Sequence, residues 1–439
     1  MFYNGRMLTL TYAYKINPTP DQVAVIEQTL NVCRNVWNYA LRERKDWIDS
    51  RKCRVDACSI HSEYIIPVDT PYPTKGFQEK ALTVAKKTNE ELKSINAQVL
   101  QQVLRKLDTA FEDMKRKGHG FPRFKKFGRM RSFVYPQMLK DPVGQGWVKL
   151  PQLGKVEVIM HRPIPKGFEL KQARIVRKSS GYYIMLSLQL DVNVPDTPPS
   201  GHPLGIDVGL EKFLATSNGE LIKRPRFFDA LARKLKLLQR RLKHKKNGSK
   251  NKVKLAKKIA RVYERIHDTR SDFHFKLAHH LCDQAGMIFA EQLNLKGMAK
   301  GMLGKHTLDA GWGQFLQLLS WVCWKRGVYF AKVEAAGTSQ TCPECDAHVS
   351  KNLSERKHEC PECGYKTDRD VAAAQVVRNR GVCAVGQMVD ENACGRDASG
   401  AESLSLGGTG RDRKILEAIL GSPSQIKDYG RGGCHSPQP

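Results

Sequence analysis

Apolar and polar residues alternate along "MLTLTYAYKI", with Leu8, Leu10, Tyr12, Tyr14 and Ile16 on one face, and this period of two predicts a strand. "NPTPDQ" follows, where proline and aspartate suit a helix start, and residues 21–48 take a helical period. The segment 50–76 is irregular and its "IIPVDTPYPTKG" reads as loop; 77–117 is helical again and ends at "KRKG". Residues 145–194 are rich in strand signals, with "ARIVRKSSGYYIMLSLQL" a hairpin turning at Ser179–Gly181. "VPDTPPSGHP" (194–203) holds four prolines and is the clearest linker in the chain. After it, "LGIDVGLEKFLATSNGELI" predicts three short strands, the last two joined at Asn218–Gly219. Residues 226–285 read as helical, "GMIFAEQL" (286–293) as a short apolar strand, "GWGQFLQLLSWVCWKRG" as a helix and "VYFAKVE" as another strand. From residue 383 no periodicity persists, and 19 of the last 57 residues are Gly, Ser or Pro, a composition that predicts a disordered tail over 383–439.

Charge sharpens this picture. Lys and Arg outnumber Asp and Glu by 73 to 44 in 439 residues, a net +29. The tail holds six basic and seven acidic residues, so the first 382 carry about +30. A body of that charge calls for a polyanionic partner, and nucleic acid is the commonest. A membrane is the rival, but no apolar run approaches the roughly 18 residues that a span needs, and the N-terminus lacks the apolar block of a signal peptide. The reading is a cytoplasmic protein whose 12 cysteines stay out of disulfides. Between Arg233 and Arg261 there are 14 Lys/Arg and no Asp or Glu, which favours a backbone-binding helix pair over a merely solvated face; Arg240, Arg241, Lys243 and Lys245 are its candidates. "GFPRFKKFGRMRSFVYP" (120–136) mixes five basic with five aromatic residues, a blend for phosphate contact and base stacking, with Arg123, Lys125 and Lys126 as candidates and a solvated basic loop as the alternative.

Two features carry chemistry. Cys342, Cys345, Cys360 and Cys363 have the spacing C-x2-C-x14-C-x2-C, in which two tight turns complete a tetrahedron of thiolates around zinc. Four protein ligands leave such an ion no open position, so its role is structural. Asp207 in "LGIDVG" and Glu291 in "IFAEQL" sit inside apolar strands, where a charge is rare unless paired or metal-bound. Singly, each could be a strand-end residue reaching solvent. Asp370 opens the helix "DVAAAQVVRN" and could be its cap, a role equally open to Asp368. Together, three acids converging from two strand ends and a helix start would form a hard oxygen site for Mg²⁺, and two such ions serve phosphodiester cleavage.

The motifs "GIDVG", "AEQL", "TSQTCPEC…CPECGYKTDRD" and "GFPRFKK" together resemble the TnpB family, nucleases encoded by bacterial and archaeal insertion sequences and related to type V CRISPR effectors; the likeness spans roughly residues 7–382. The resemblance implies an α+β multidomain chain. A β-rich wedge domain (1–17 and 121–195) would contain an inserted helical recognition module (18–120). An RNase H-like RuvC nuclease domain (196–382) would follow, with the basic helical segment 226–285 and a four-Cys zinc ribbon inserted at 338–366. The family's catalytic acids map onto Asp207, Glu291 and Asp370. The implied activity is Mg²⁺-dependent, RNA-guided cleavage of DNA beside a short target-adjacent motif. The implied partners are a guide RNA from the element's own end, one protein per guide, and matching double-stranded DNA, in the nucleoid of a bacterial or archaeal cytoplasm. One departure stands out: the family commonly shows Asn two residues after the third acid, where this chain has Ala372. A guide-dependent binder that cuts weakly or not at all, and a strand-joining transposase, are the alternative readings.

Overall fold

The computed structural model describes residues 6–52, 66–67, 69–194, 197–352 and 355–394, and the chain divides into two units at Val194/Pro195. The first unit runs β1 (Arg6–Asn17), α1 (Pro20–Ser50), α2 (Lys75–Thr88), α3 (Glu90–Lys93), α4 (Ala97–Lys117), β2 (Ser132–Tyr135), β3 (Val143–Gly144), β4 (Trp147–Leu150), β5 (Gly154–Ile159), β6 (Glu169–Lys178) and β7 (Gly181–Val194). Its strands form one antiparallel sheet in the order β2-β6-β7-β1-β5-β4-β3. All four helices thus lie between the first strand of that sheet and the second. Local chemistry starts α1 where it does: Thr19 and Gln22 cap it reciprocally, and Pro20 stands in its first turn. Its buried Ile26, Leu30, Cys33, Trp37 and Leu41 recur at helical spacing, as do Val99, Leu100, Val103, Leu104 and Leu107 of α4.

The second unit begins with β8 (Pro203–Asp207), β9 (Lys212–Thr216), β10 (Leu221–Lys223), α5 (Asp229–Lys243) and α6 (Lys250–Gln284). It continues through β11 (Met287–Glu291), α7 (Leu295–Met298), α8 (Gly304–Ala310), α9 (Trp312–Arg326), β12 (Tyr329–Val333), β13 (Lys357–Glu359), β14 (Lys366–Asp368) and α10 (Arg369–Cys394). Five strands form a sheet in the order β10-β9-β8-β11-β12, with β8, β9 and β10 antiparallel and β8, β11 and β12 parallel. Numbered within the domain this is 3-2-1-4-5, the RNase H-like topology.

Strand parity sorts the two faces. Leu204, Ile206, Ile288 and Ala290 join the main core with Leu277 and Leu281 of α6 and Phe315, Leu316 and Leu319 of α9. The alternate residues Gly205 and Phe289 face α10. A Cβ on Gly205 would lie 1.9 Å from the Ala374 carbonyl oxygen, so glycine is required for helix and strand to meet; a Cβ on Gly381 would strike the Phe289 ring at 2.2 Å. The small, fully enclosed Ala372, Ala373 and Ala374 serve the same close approach.

Helix α10 also corrects one expectation. The tail predicted to be disordered from residue 383 begins inside this helix, which continues to Cys394 and packs Val385 near Phe289 and Val377. The stretch from Val382 to Val389 is itself largely apolar, and averaging over all 57 residues hid it. Residues 395–439, the rest of that expected tail, lie outside the described residues, as do 53–65 of the loop expected at 50–76.

Candidate functional site

Asp207 and Glu291 are the last residues of neighbouring parallel strands. The register pairs Ile206 with Ala290, so the two acids come next along β8 and β11 and share a face. That face is the one carrying Gly205 and Phe289, against α10. The first turn of α10 brings Asp370 to the same strand ends: its Oδ2 lies 3.8 Å from where a Cβ on Gly209 would stand, two residues after Asp207. Asp368 accepts from the Asp370 backbone N–H at 2.8 Å and so caps the helix, leaving the Asp370 carboxylate free of that task.

The electrostatics register this convergence. Burial, then the negative charges of Glu291 and Asp370, push the Asp207 carboxyl well above its ordinary range, against the opposing pull of Arg369. Glu291 is only 8% exposed, and its carboxyl is also pushed up by burial, tempered by a hydrogen bond from Thr338 and by the charge of Arg380. Crowded carboxylates with raised affinity for protons have raised affinity for any cation that can replace them. Among the described residues, only the cysteine cluster has all its ligand atoms within 4.8 Å of one another. The three carboxylates converge on the same strand ends but stand further apart than that.

Three supporting residues are not singled out by the sequence, although Thr338 and Arg369 lie within the quoted "TSQTCPEC…CPECGYKTDRD" motif. The Thr338 hydroxyl is buried and donates to Glu291 Oε1. Arg380 on α10 donates to the carbonyls of Glu334 (3.0 Å) and Ala336 (2.7 Å), clamping the loop that carries Thr338. Arg369 lies 3.4 Å from Asp370 and donates to the Glu355 carbonyl. Each depends on loops folding back onto the sheet, which no local pattern encodes. Ala372 is 2% exposed, so a polar side chain there would enter a closed space.

The four cysteines form a compact sulfur cluster. Cys342 and Cys363 lie 3.6 Å apart, as do Cys345 and Cys360. These separations are far beyond a disulfide bond and near the roughly 3.8 Å edge of a tetrahedron with 2.3 Å zinc–sulfur bonds. The two turns are built alike. Asp346 N–H donates to Cys342 O and Gly364 N–H to Cys360 O, and Asp346 and Gly364 both adopt positive φ (58° and 72°). Backbone N–H groups of Cys363 and Glu362 hold the Cys360 thiol down to about 7. Cys345 and Cys363 are instead pushed up, against the backbone N–H groups of Ala347 and Tyr365, by burial and neighbouring sulfurs, so the spacing of the sulfurs is what supports zinc. The residues present fit zinc. The second turn sits on the β13–β14 hairpin, and β14 ends at Asp368, directly against the start of α10.

The basic candidates all lie outside this centre. Arg240, Arg241, Lys243 and Lys245 are exposed at the end of α5 and just beyond it. There α5 and α6 pack through one apolar seam of Leu235, Leu238, Ile259, Val262 and Ile266, leaving the cations on the outside. In the first unit, Arg123 and Lys126 are exposed, whereas Lys125 is half-buried with its ammonium 4.2 Å above the Trp37 ring. Burial, then nearby Lys106, lowers the Lys125 pKa.

Comparison with known proteins places these features in a family. Residues 187–302 match a family model described as "Probable transposase" (OrfB_IS605), residues 312–377 the "Cas12f1-like, TNB domain", and residues 7–53 a helix-turn-helix domain of the same OrfB group, which here folds as β1 and α1. A candidate RNA-guided DNA endonuclease of Streptomyces pristinaespiralis is 28% identical over 85% of this chain and 89% of its own length. InsQ of Escherichia coli (strain K12), named in the same way, is 28% identical over 86% and 94%. A cryo-EM structure of a Cas12f1–sgRNA–target DNA complex superposes with a TM-score of 0.52 at 14% identity, covering 85% of this chain and 99% of that one, a likeness of fold. Over most of its length the chain is thus similar to OrfB-type, TnpB-like proteins. Among the described residues no helix is long and apolar enough to cross a membrane.

Proposed function

We propose that this protein is an RNA-guided DNA endonuclease. It binds a guide RNA and cleaves DNA that pairs with the guide beside a short motif, using the 196–382 region as a RuvC-like nuclease. The observation that carries this reading is the convergence of Asp207, Glu291 and Asp370 at one end of an RNase H-like sheet. The names of its relatives support it. Those three carboxylates would hold Mg²⁺, which when bound supplies an activated water and neutralises charge on the leaving oxygen. Thr338 fixes the orientation of Glu291, Arg380 fixes the loop carrying Thr338, and Asp368 fixes the first turn of α10. The first unit, as wedge (1–17 and 121–195) and recognition module (18–120), and the exposed cations of 233–261 hold nucleic acid through shape and backbone charge, while base pairing reads sequence. The test is to express the protein with the DNA that flanks its gene and sequence the RNA that copurifies. A discrete RNA that programs cleavage of a matching plasmid is the expected outcome; a preparation with no discrete RNA, or cleavage that ignores the RNA sequence, refutes the reading.

Thr338 provides a second check. Thr338→Val keeps the side-chain shape and removes only the hydroxyl. Turnover should drop by roughly tenfold or more, the usual scale for losing a partner that orients a metal ligand. Binding of guide and target should stay unchanged, and Thr338→Ser should restore most of the rate. Equal turnover in wild type and Thr338→Val would show that the hydroxyl is incidental.

A further inference from the structure

The strap between α4 and β2 carries its aromatic residues in an arrangement that folding does not require. Its backbone is tied to α1. Trp37 Nε1 donates to the Arg123 carbonyl at 3.1 Å, and the Asn38 amide pairs with both the N–H and the C=O of Lys125 at 2.8 and 2.9 Å. Its far end is held by Arg177 of β6, whose guanidinium donates to the carbonyls of Gly128 and Met130. Between these anchors the chain makes a tight turn closed by Arg129 N–H to Lys126 O at 3.0 Å, with Gly128 at φ 72°. Phe127 stands at the tip of that turn and is 81% exposed; Phe124, three residues earlier, is 44% exposed.

A phenylalanine at the apex of a well-anchored turn contributes little to a core, and turn tips normally carry polar residues. Each ring has a cation from α1 beside it: Arg34 lies 5.7 Å from the centre of Phe127 and Arg42 6.0 Å from that of Phe124. Arg123, Lys126, Arg129 and Arg131 line the same strap. Exposed flat rings flanked by guanidinium groups, on a backbone fixed from both sides, make a stacking platform with phosphate contacts, which suits unpaired bases. A paired duplex keeps its base faces covered except at its ends and at kinked steps, so such rings favour unpaired bases.

We propose that Phe124 and Phe127 stack on bases of a single DNA strand, with Arg34 and Arg42 beside its backbone. This deepens the function proposed above and rests on it for the identity of the strand. When a guide pairs with one strand of a duplex, the other is necessarily left unpaired. The surface therefore belongs to the displaced strand, and stacking there would hold the duplex open.

The test uses the full chain with its copurifying RNA, a fluorescein-labelled dT20 strand and a 20-base-pair duplex of mixed sequence, followed by fluorescence anisotropy. Phe124→Leu/Phe127→Leu keeps apolar bulk and removes the aromatic faces. It should weaken dT20 binding by on the order of tenfold per ring, leave duplex affinity within about twofold, and leave the salt slope unchanged because no phosphate contact is lost. Phe127→Tyr should retain most of the affinity. Thermal unfolding of the leucine variant at the wild-type midpoint excludes misfolding. Wild-type affinity for dT20 in the leucine variant overturns the proposal, as does an equal loss on duplex, or a loss confined to copurifying RNA. If the wild-type chain binds neither probe and carries no RNA, the nucleic-acid function fails first, an outcome distinct from any of these.

Discussion

Asp207→Ala is expected to abolish DNA cleavage while leaving the bound RNA nearly untouched. The rate should fall by about a thousandfold or more, the scale for removing a group that acts in the transition state. Copurifying RNA should stay within about twofold of wild type if, as proposed, its contacts rest on Lys and Arg surfaces and not on the acids. The crowding of Asp207 by Glu291 and Asp370 makes a further, independent demand. Three carboxylates brought together without a cation repel one another, so removing the central one should hold or raise the thermal midpoint of the metal-free protein. The extra stability that Mg²⁺ confers on the wild type should disappear in the variant. Plasmid cleavage and calorimetry with and without Mg²⁺ read both effects. Full cleavage by the variant would remove Asp207 from the site, whatever the RNA does. Asp368→Ala provides the contrast: it removes a helix cap worth about 1 kcal/mol and should slow cleavage only modestly.

Cys342→Ser should have an effect of comparable size through a different route. Structural zinc contributes on the order of 10 kcal/mol to the small folds that it organises, and a ribbon held by two short strands has little else. Among the described residues its sheet is the β13–β14 pair, and its buried cluster is Cys342, Val349 and Cys360 with Ala347 and Tyr365 against them. Loss of one sulfur should therefore release the zinc and unfold the ribbon. Because β14 ends at Asp368, the cap of α10, and Arg369 N–H bonds to the Arg356 carbonyl at 2.8 Å, the loss should reach Asp370 and depress cleavage. Cys383→Ser, at an exposed cysteine on α10 away from the cluster, should change neither metal content nor rate. Elemental analysis checks the first claim and plasmid cleavage the second. Wild-type protein purified without zinc would rule out the metal site.

What the sequence determined on its own was local. Period-two and helical patterns, the Asn218–Gly219 turn, the prolines of 194–203 and the four-cysteine spacing each follow from a few neighbouring residues, because side-chain alternation, turn chemistry and ligand spacing are short-range properties. Two strand acids also stood out, since charge inside an apolar run is costly wherever the run ends up. What brought Asp207, Glu291 and Asp370 together was long-range. It needed the 3-2-1-4-5 strand order, the register that sets Asp207 beside Glu291, and the close seat of α10 allowed by Gly205 and Gly381. Thr338 and Arg380 reached the site only through the fold of the loop after β12. Packing of Val385 likewise accompanies α10 past residue 383, where the average composition of the whole tail had masked a short apolar stretch, and tertiary structure turned Phe127 outward at a turn tip while drawing Lys125 onto Trp37. Composition along a strap or a tail specifies which side chains are available; only the three-dimensional fold decides which find partners and which remain open to a ligand.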